Sequence, residues 1–176
     1  MSIHLYQSKK VQRYLGKNIY DKNEPVKEQI DPLLIWYVDV FFIQRERYLV
    51  IANPLTKFTF FIFRYSKKTH PDFLKAFKEK LSFSLQAIDI NPEKYLDKCD
   101  EIMPIFETNR SASAHLSRIK EDYGDMISSR WHEVYPPEDE VFYNKIISEY
   151  ITSYDKKEYD FPRRRFHHEL ILRRLD

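Results

Sequence analysis

Hydrophobic positions along this chain follow two rhythms. Between Leu33 and Phe63 they crowd into three runs, Leu33 to Gln44, Tyr48 to Ala52 and Phe58 to Phe63, broken by Arg45-Glu46-Arg47 and by Asn53-Pro54-Leu55. Aromatic and β-branched residues suit a pleated surface and the breaks carry turn chemistry, so the runs predict an antiparallel three-stranded meander. Trp36, Val38 and Val40 alternate with Tyr37 and Asp39, which predicts one drier and one wetter face on the first of these strands. A short strand at Ile3 to Tyr6 and a basic helical turn over residues 8–15 precede the meander. They are joined to it by a polar loop that ends at Asp31-Pro32.

After Phe63 the rhythm lengthens. Phe73, Phe77, Leu81, Leu85 and Ile88 recur every three or four residues behind His70-Pro71-Asp72, which predicts an amphipathic helix over residues 71–88. Asn91-Pro92-Glu93 opens a short helix containing Tyr95, Leu96 and Cys99, and Ile102 to Phe106 reads as a strand. Pro104 within it places that strand at a sheet edge. Leu116, Ile119, Tyr123, Met126 and Ile127 make a one-sided stripe, predicting a surface helix over 111–128. Val141, Phe142, Ile146, Ile147, Tyr150 and Ile151 form another helical pattern after Pro136-Pro137, and Phe161 to Leu175 suits helix or strand, with helix preferred. The fold expected is α+β, a mainly antiparallel sheet with helices packed on one face. A core domain spans residues 1–129, and residues 130–176 form a C-terminal helical, Arg-rich extension.

Composition agrees with a packed core. Of 176 residues 43% are hydrophobic, including 13 Phe, 13 Tyr and 2 Trp, and aromatic side chains bury large areas. The 2 glycines, Gly16 and Gly124, leave no Gly-rich loop to cradle a phosphate, so dinucleotide and P-loop chemistry are excluded. A single cysteine, Cys99, makes no internal disulfide, and the start of the chain lacks an apolar signal core; both point to a reducing cytoplasm and away from a membrane.

The net charge of +2 is near balance, but its distribution is uneven. Residues 161–176 hold Arg163, Arg164, Arg165, Arg173 and Arg174 against Glu169 and Asp176, the best electrostatic patch in the chain. Such a cluster beside Phe166 suits phosphate-backbone contact, or docking on the acidic Glu138-Asp139-Glu140 segment or on a partner. His167-His168-Glu169 does not put two ligands on one helix face, so no metal site is expected there. Ser111, Ser113 and His115 lie close in sequence without a third orienting group, and Cys99 reads as a buried, inert thiol.

Thr108-Asn109-Arg110-Ser111 is the most distinctive short segment. Asn109 suits the turn, Ser111 the helix cap, and Arg110 beside a helix N-terminus makes a candidate anion site, with Trp36 and Asp39 as neighbours. Arg45, Arg47 and Arg110 are the expected partners for the carboxylate of Asp39.

Four segments carry a resemblance: Trp36-Tyr37-Val38-Asp39, Tyr48-Leu49-Val50-Ile51-Ala52-Asn53, Thr56-Lys57-Phe58-Thr59-Phe60 and Thr108-Asn109-Arg110-Ser111. In order and spacing they are similar to an uncharacterised bacterial domain-of-unknown-function family, of the 6933 type, over roughly residues 4–125. That pattern continues with a glycine and a small polar pair ending in an acid, where this chain has Ala114 and Ser117-Arg118. The resemblance implies a domain extent and no activity. The expected role is therefore a non-enzymatic binding module, without cofactor, that engages a protein partner or itself. The alternatives are nucleic-acid binding through the C-terminal arginines and a small-anion enzyme or sensor centred on Arg110.

Overall fold

The computed structural model describes residues 2–7, 9–15, 30–105, 109–129, 137–155 and 158–176. The meander is present as β2 (Ile35–Ile43), β3 (Glu46–Ala52) and β4 (Thr59–Ile62), paired antiparallel. The first strand, β1 (Ser2–Gln7), lies parallel to β2 on one side and to β5 (Glu101–Ile105) on the other, so the sheet is mixed and runs β4-β3-β2-β1-β5. Pro104 sits on an edge strand as expected, since a residue without an N–H is tolerated where no neighbour needs one.

The α+β class holds, but the helices cover both faces of the sheet. Trp36, Val38, Val40, Leu49, Ile51, Phe60 and Ile62 face one core. Over them pack α1 (Lys9–Leu15), α2 (Phe73–Gln86), α3 (Glu93–Asp97) and α6 (Pro162–Leu172). Tyr37, Tyr48, Val50 and Phe61 face a second core beneath α4 (Arg110–Ser128) and α5 (Pro137–Ser148). The helices over 71–88 and 111–128 are thus on opposite faces, a correction to the single-face expectation. As expected, the Tyr37–Asp39 face of β2 is the wetter one: Asp39 and Phe41 are half-buried where Trp36, Val38 and Val40 are buried, yet α4 still covers it, burying Tyr37 and matching Asp39 with Lys120. Strands covered on both sides read as continuous apolar runs, and that is what β2 to β4 are.

Residues 130–176, separated from the core in the sequence, supply part of each core. Tyr143 and Ile147 belong to the second, and Phe166, Leu170 and Leu175 to the first. Between α5 and α6 lies a hairpin that the sequence reading did not anticipate, β6 (Thr152–Asp155) with β7 (Glu158–Asp160). Its strands are too short and polar to show period-2 alternation. Tyr154 ties it down, the hydroxyl donating to the Thr56 carbonyl at 2.6 Å.

Side chains complete the backbone where the sheet stops. Along the free edge of β4, the Phe61 N–H donates to Asn144 Oδ1 at 2.7 Å and the Asn144 amide donates back to the Phe61 carbonyl at 3.3 Å. One turn earlier on α5, Glu140 accepts from the Phe63 N–H at 2.7 Å and pairs with Lys80 of α2 at 2.9 Å. Burial raises the Glu140 carboxyl above its ordinary value, and Lys80 pulls it back part of the way. At the opposite end of β3, Asn53 is fully buried. Its amide donates to the carbonyls of Pro32 (3.2 Å), Leu33 (3.1 Å) and Ile35 (2.9 Å), and its Oδ1 accepts from the Thr56 N–H and hydroxyl, both at 3.0 Å.

Glycine scarcity leaves a mark on the turns. The two-residue loop of the β2–β3 hairpin, Gln44-Arg45, has φ of 45° and 73°, a left-handed pair of the kind Asn-Gly normally supplies. A side chain in that region costs roughly 1 kcal/mol. Both residues are exposed, so the double change Gln44→Asn with Arg45→Gly is expected to raise stability by about 1 kcal/mol in urea unfolding, with an unchanged slope.

Candidate functional site

The segment around Arg110 resolves into architecture plus one exposed cation. Thr108 lies outside the described residues. Asn109 is extended (φ −108°, ψ 115°) and its side chain accepts the Ala112 N–H at 3.1 Å. Asn109 is therefore the helix cap, in place of Ser111, which is exposed beside the exposed Arg110.

The companions proposed for Arg110 are elsewhere. Trp36 is fully buried on the other face of the sheet from α4, where its indole N–H donates to the Tyr95 hydroxyl at 2.9 Å. That hydroxyl in turn donates to the Leu33 carbonyl at 2.9 Å. Asp39 pairs with Lys120 and accepts from the Val40 N–H at 2.8 Å, so its partner is none of the three arginines expected. Trp36, Asp39 and Arg110 do not share a site.

His115 illustrates why nearby serines do not make a nucleophile here. The Thr59 hydroxyl, which reaches the Lys57 carbonyl at 2.9 Å, lies 3.1 Å from the His115 Nε2, so the ring is engaged with β4 and not with a serine. Burial, then Lys57 and Arg118, push its pKa down to about 4, and the ring stays neutral. The Cys99 thiol is buried against the Tyr95 carbonyl (3.2 Å), and burial lifts it to about 12, as suits an inert core thiol.

The C-terminal arginines are mostly spoken for. Arg163 pairs with Glu149 at 3.1 Å. Arg165 pairs with Glu158 and, at 3.7 Å, with Asp160, and lies 3.9 Å from the centroid of the Tyr154 ring. Arg173 bridges Glu169 and Asp31, its Nε donating to both Asp31 oxygens at 2.9 and 2.7 Å. Burial raises the Asp31 carboxyl, but the Arg173 hydrogen bonds and the Leu33 N–H outweigh it, leaving the pKa below its ordinary value. The acids these arginines find are thus not Glu138-Asp139-Glu140.

Arg164 is different. It is exposed, its guanidinium stacks 4.9 Å from the centroid of Phe161, and among the described residues it has no ion pair. It belongs to a stripe on the outward face of α6 with His167, His168, Ile171 and Leu172, all exposed. The inward face holds Phe166 and Leu170, both fully buried. At the start of this stripe is an open groove of about 260 Å³, lined by Arg163, Arg164 and His167 on one side and by Ile88, Asp89 and Ile90 on the other. Sequence reasoning reached the arginines and missed the groove, because its second wall lies some seventy-five positions away in the chain. The exposed Ile171 and Leu172 were hidden by reading the segment as uniformly basic. Among the described residues no helix is long and apolar enough to cross a membrane.

A family model described as a domain of unknown function, DUF6933, matches residues 4–165. The match extends past the residues that carried the sequence resemblance and takes in α5, the β6–β7 hairpin and the first turn of α6. No curated protein matches the chain.

Proposed function

The chain belongs to the DUF6933 family, a domain of unknown function, and from that premise we propose that it is a non-enzymatic binding module engaging a protein partner through the outward face of α6. One observation carries this reading. Ile171 and Leu172 stand 49% and 62% exposed, side by side on a helix whose opposite face is already buried. Apolar side chains on the polar side of an amphipathic helix mark a surface that something else covers. His167, His168 and Arg164 continue the stripe and form its polar rim.

The ion pairs of Arg163, Arg165 and Arg173 weigh against nucleic-acid binding, since a guanidinium already matched by carboxylates releases few counterions on meeting a phosphate. The separation of Trp36 and Asp39 from Arg110 weighs against a small-anion centre there.

The test is native mass spectrometry of the tagged chain purified gently from its own cells, beside the double variant Ile171→Glu, Leu172→Glu. Both positions are exposed, so the variant should keep the wild-type circular dichroism and melting curve. A protein complex present for the wild type and absent for the variant is expected. A strictly monomeric wild type, or a complex that the variant retains, overturns the reading.

A further inference from the structure

We infer that the groove at the start of α6 is a pocket for a single carboxylate, presented by a Glu or Asp side chain of the partner segment that runs along α6. The inference deepens the partner reading and rests on it.

The groove is built on firm walls. On one side α2 ends in a closed turn, with Ile88 N–H donating to the Leu85 carbonyl at 3.1 Å, Asp89 N–H to Gln86 at 3.1 Å and Ile90 N–H to Leu85 at 3.0 Å. Asp89, at φ 61°, takes the left-handed position that ends the helix. On the other side His167 stands three residues from Arg164 and four from Arg163 on α6, so each arginine emerges beside it.

Charge and size select the occupant. Glu149 holds Arg163, whereas the Arg164 guanidinium lies over the Phe161 ring and among the described residues meets no carboxylate. A ring-stacked guanidinium is held in place while its in-plane donors still suit a carboxylate. Asp89 lines the same groove, and its negative charge disfavours a dianion more than a monoanion. A volume of about 260 Å³ falls below the range of roughly 300 to 1,000 Å³ typical of cofactor and drug-sized sites, and fits one side chain. Ile88 and Ile90 offer apolar wall to its methylenes. These features point to a carboxylate in preference to a phosphate.

The same helix sets the spacing. From Arg164 to the Ile171–Leu172 pair the helix rises about 11 Å, at roughly 1.5 Å per residue. An extended segment spans that distance in about three residues, at roughly 3.3 Å each. The partner segment therefore carries an acid and a large aliphatic residue about three positions apart.

Fluorescein-labelled Gly/Ser peptides holding one Glu and one Leu, at every spacing from one to eight, are titrated against the full chain by anisotropy. Binding is expected to peak near a spacing of three. It is expected to fall at least about tenfold when Glu becomes Gln in the peptide or when Arg164→Glu is made in the protein, whose exposed position preserves the fold. No binding at any spacing, or equal binding of Glu and Gln peptides, or indifference to Arg164→Glu, overturns the inference. Tighter binding of a phosphoserine peptide than of the Glu peptide overturns the choice of a monoanion. If Arg164→Glu weakens binding but Leu172→Glu does not, the carboxylate pocket stands and the aliphatic face proposed for the partner fails.

Discussion

Replacing Asn53 by Ala is expected to destabilise the fold by about 3–5 kcal/mol, an amount reached only when a buried polar network is broken. The amide of Asn53 shares its two N–H groups among the carbonyls of Pro32, Leu33 and Ile35, while its oxygen takes both donors of Thr56. In the alanine variant the Leu33 carbonyl keeps the Tyr95 hydroxyl and the Pro32 carbonyl keeps the Ile35 N–H, but the two buried donors of Thr56 lose their acceptor, each at a cost of about 1–3 kcal/mol. At roughly 2–4 °C per kcal/mol for a chain of this size, the melting temperature should fall by about 6–20 °C. Asn53→Asp separates polar matching from volume. It preserves shape but aims a carboxylate at three carbonyl oxygens, and should destabilise at least as much as Ala. Paired urea titrations and thermal melts decide it, and a loss under about 1 kcal/mol for either variant contradicts the network.

The second large effect concerns the C-terminal helix. Phe166 is fully buried, with ring centroids 4.9 Å from Phe58, 5.6 Å from Tyr95 and 6.0 Å from Trp36. Phe166→Ala opens a cavity at the meeting point of four aromatic rings. The expected loss is about 3–5 kcal/mol, because the rigid indole and phenol, joined by their own hydrogen bond, cannot collapse into the space. Were α6 an appendage tied on by its arginines, Phe166→Ala would leave the unfolding of the sheet untouched. In a Trp131→Phe background tryptophan fluorescence reads the first core through Trp36, and a single cooperative transition that shifts as a whole is the expected result.

These expectations show where the sequence was informative. The meander, the helices over α2 and α4 and the edge position of Pro104 were legible because local chemistry decides them: clustered β-formers, amphipathic spacing, a missing N–H. The parallel pairing of β1 with β2 and β5 was not, since it depends on how distant segments return. The division of helices between two faces was available in principle. From Tyr48 to Ala52 in β3 and from Phe60 to Ile62 in β4 no charged residue interrupts the run, and a strand with one wet face does not look like that. The motif residues that carried the resemblance proved to be builders: Trp36 anchors Tyr95, Asn53 and Thr56 lock the β3–β4 turn, and Asn109 caps α4. The surface proposed to bind lies apart from them, on α6, where Ile171 and Leu172 follow no motif.

The side chains of α5 stand where a sixth strand would pair, and this has a consequence in time. Phe61 and Asn144 are 83 positions apart. At about 5–20 residues per second, synthesis leaves roughly 4–17 s between the emergence of β4 and that of the asparagine that closes it. During that interval the β2–β4 hairpins can form from local contacts while the N–H and C=O groups of Phe61 remain open to any extended chain nearby. The most vulnerable moment of this protein is thus fixed by the order of its residues on the ribosome, and it passes when α5 arrives.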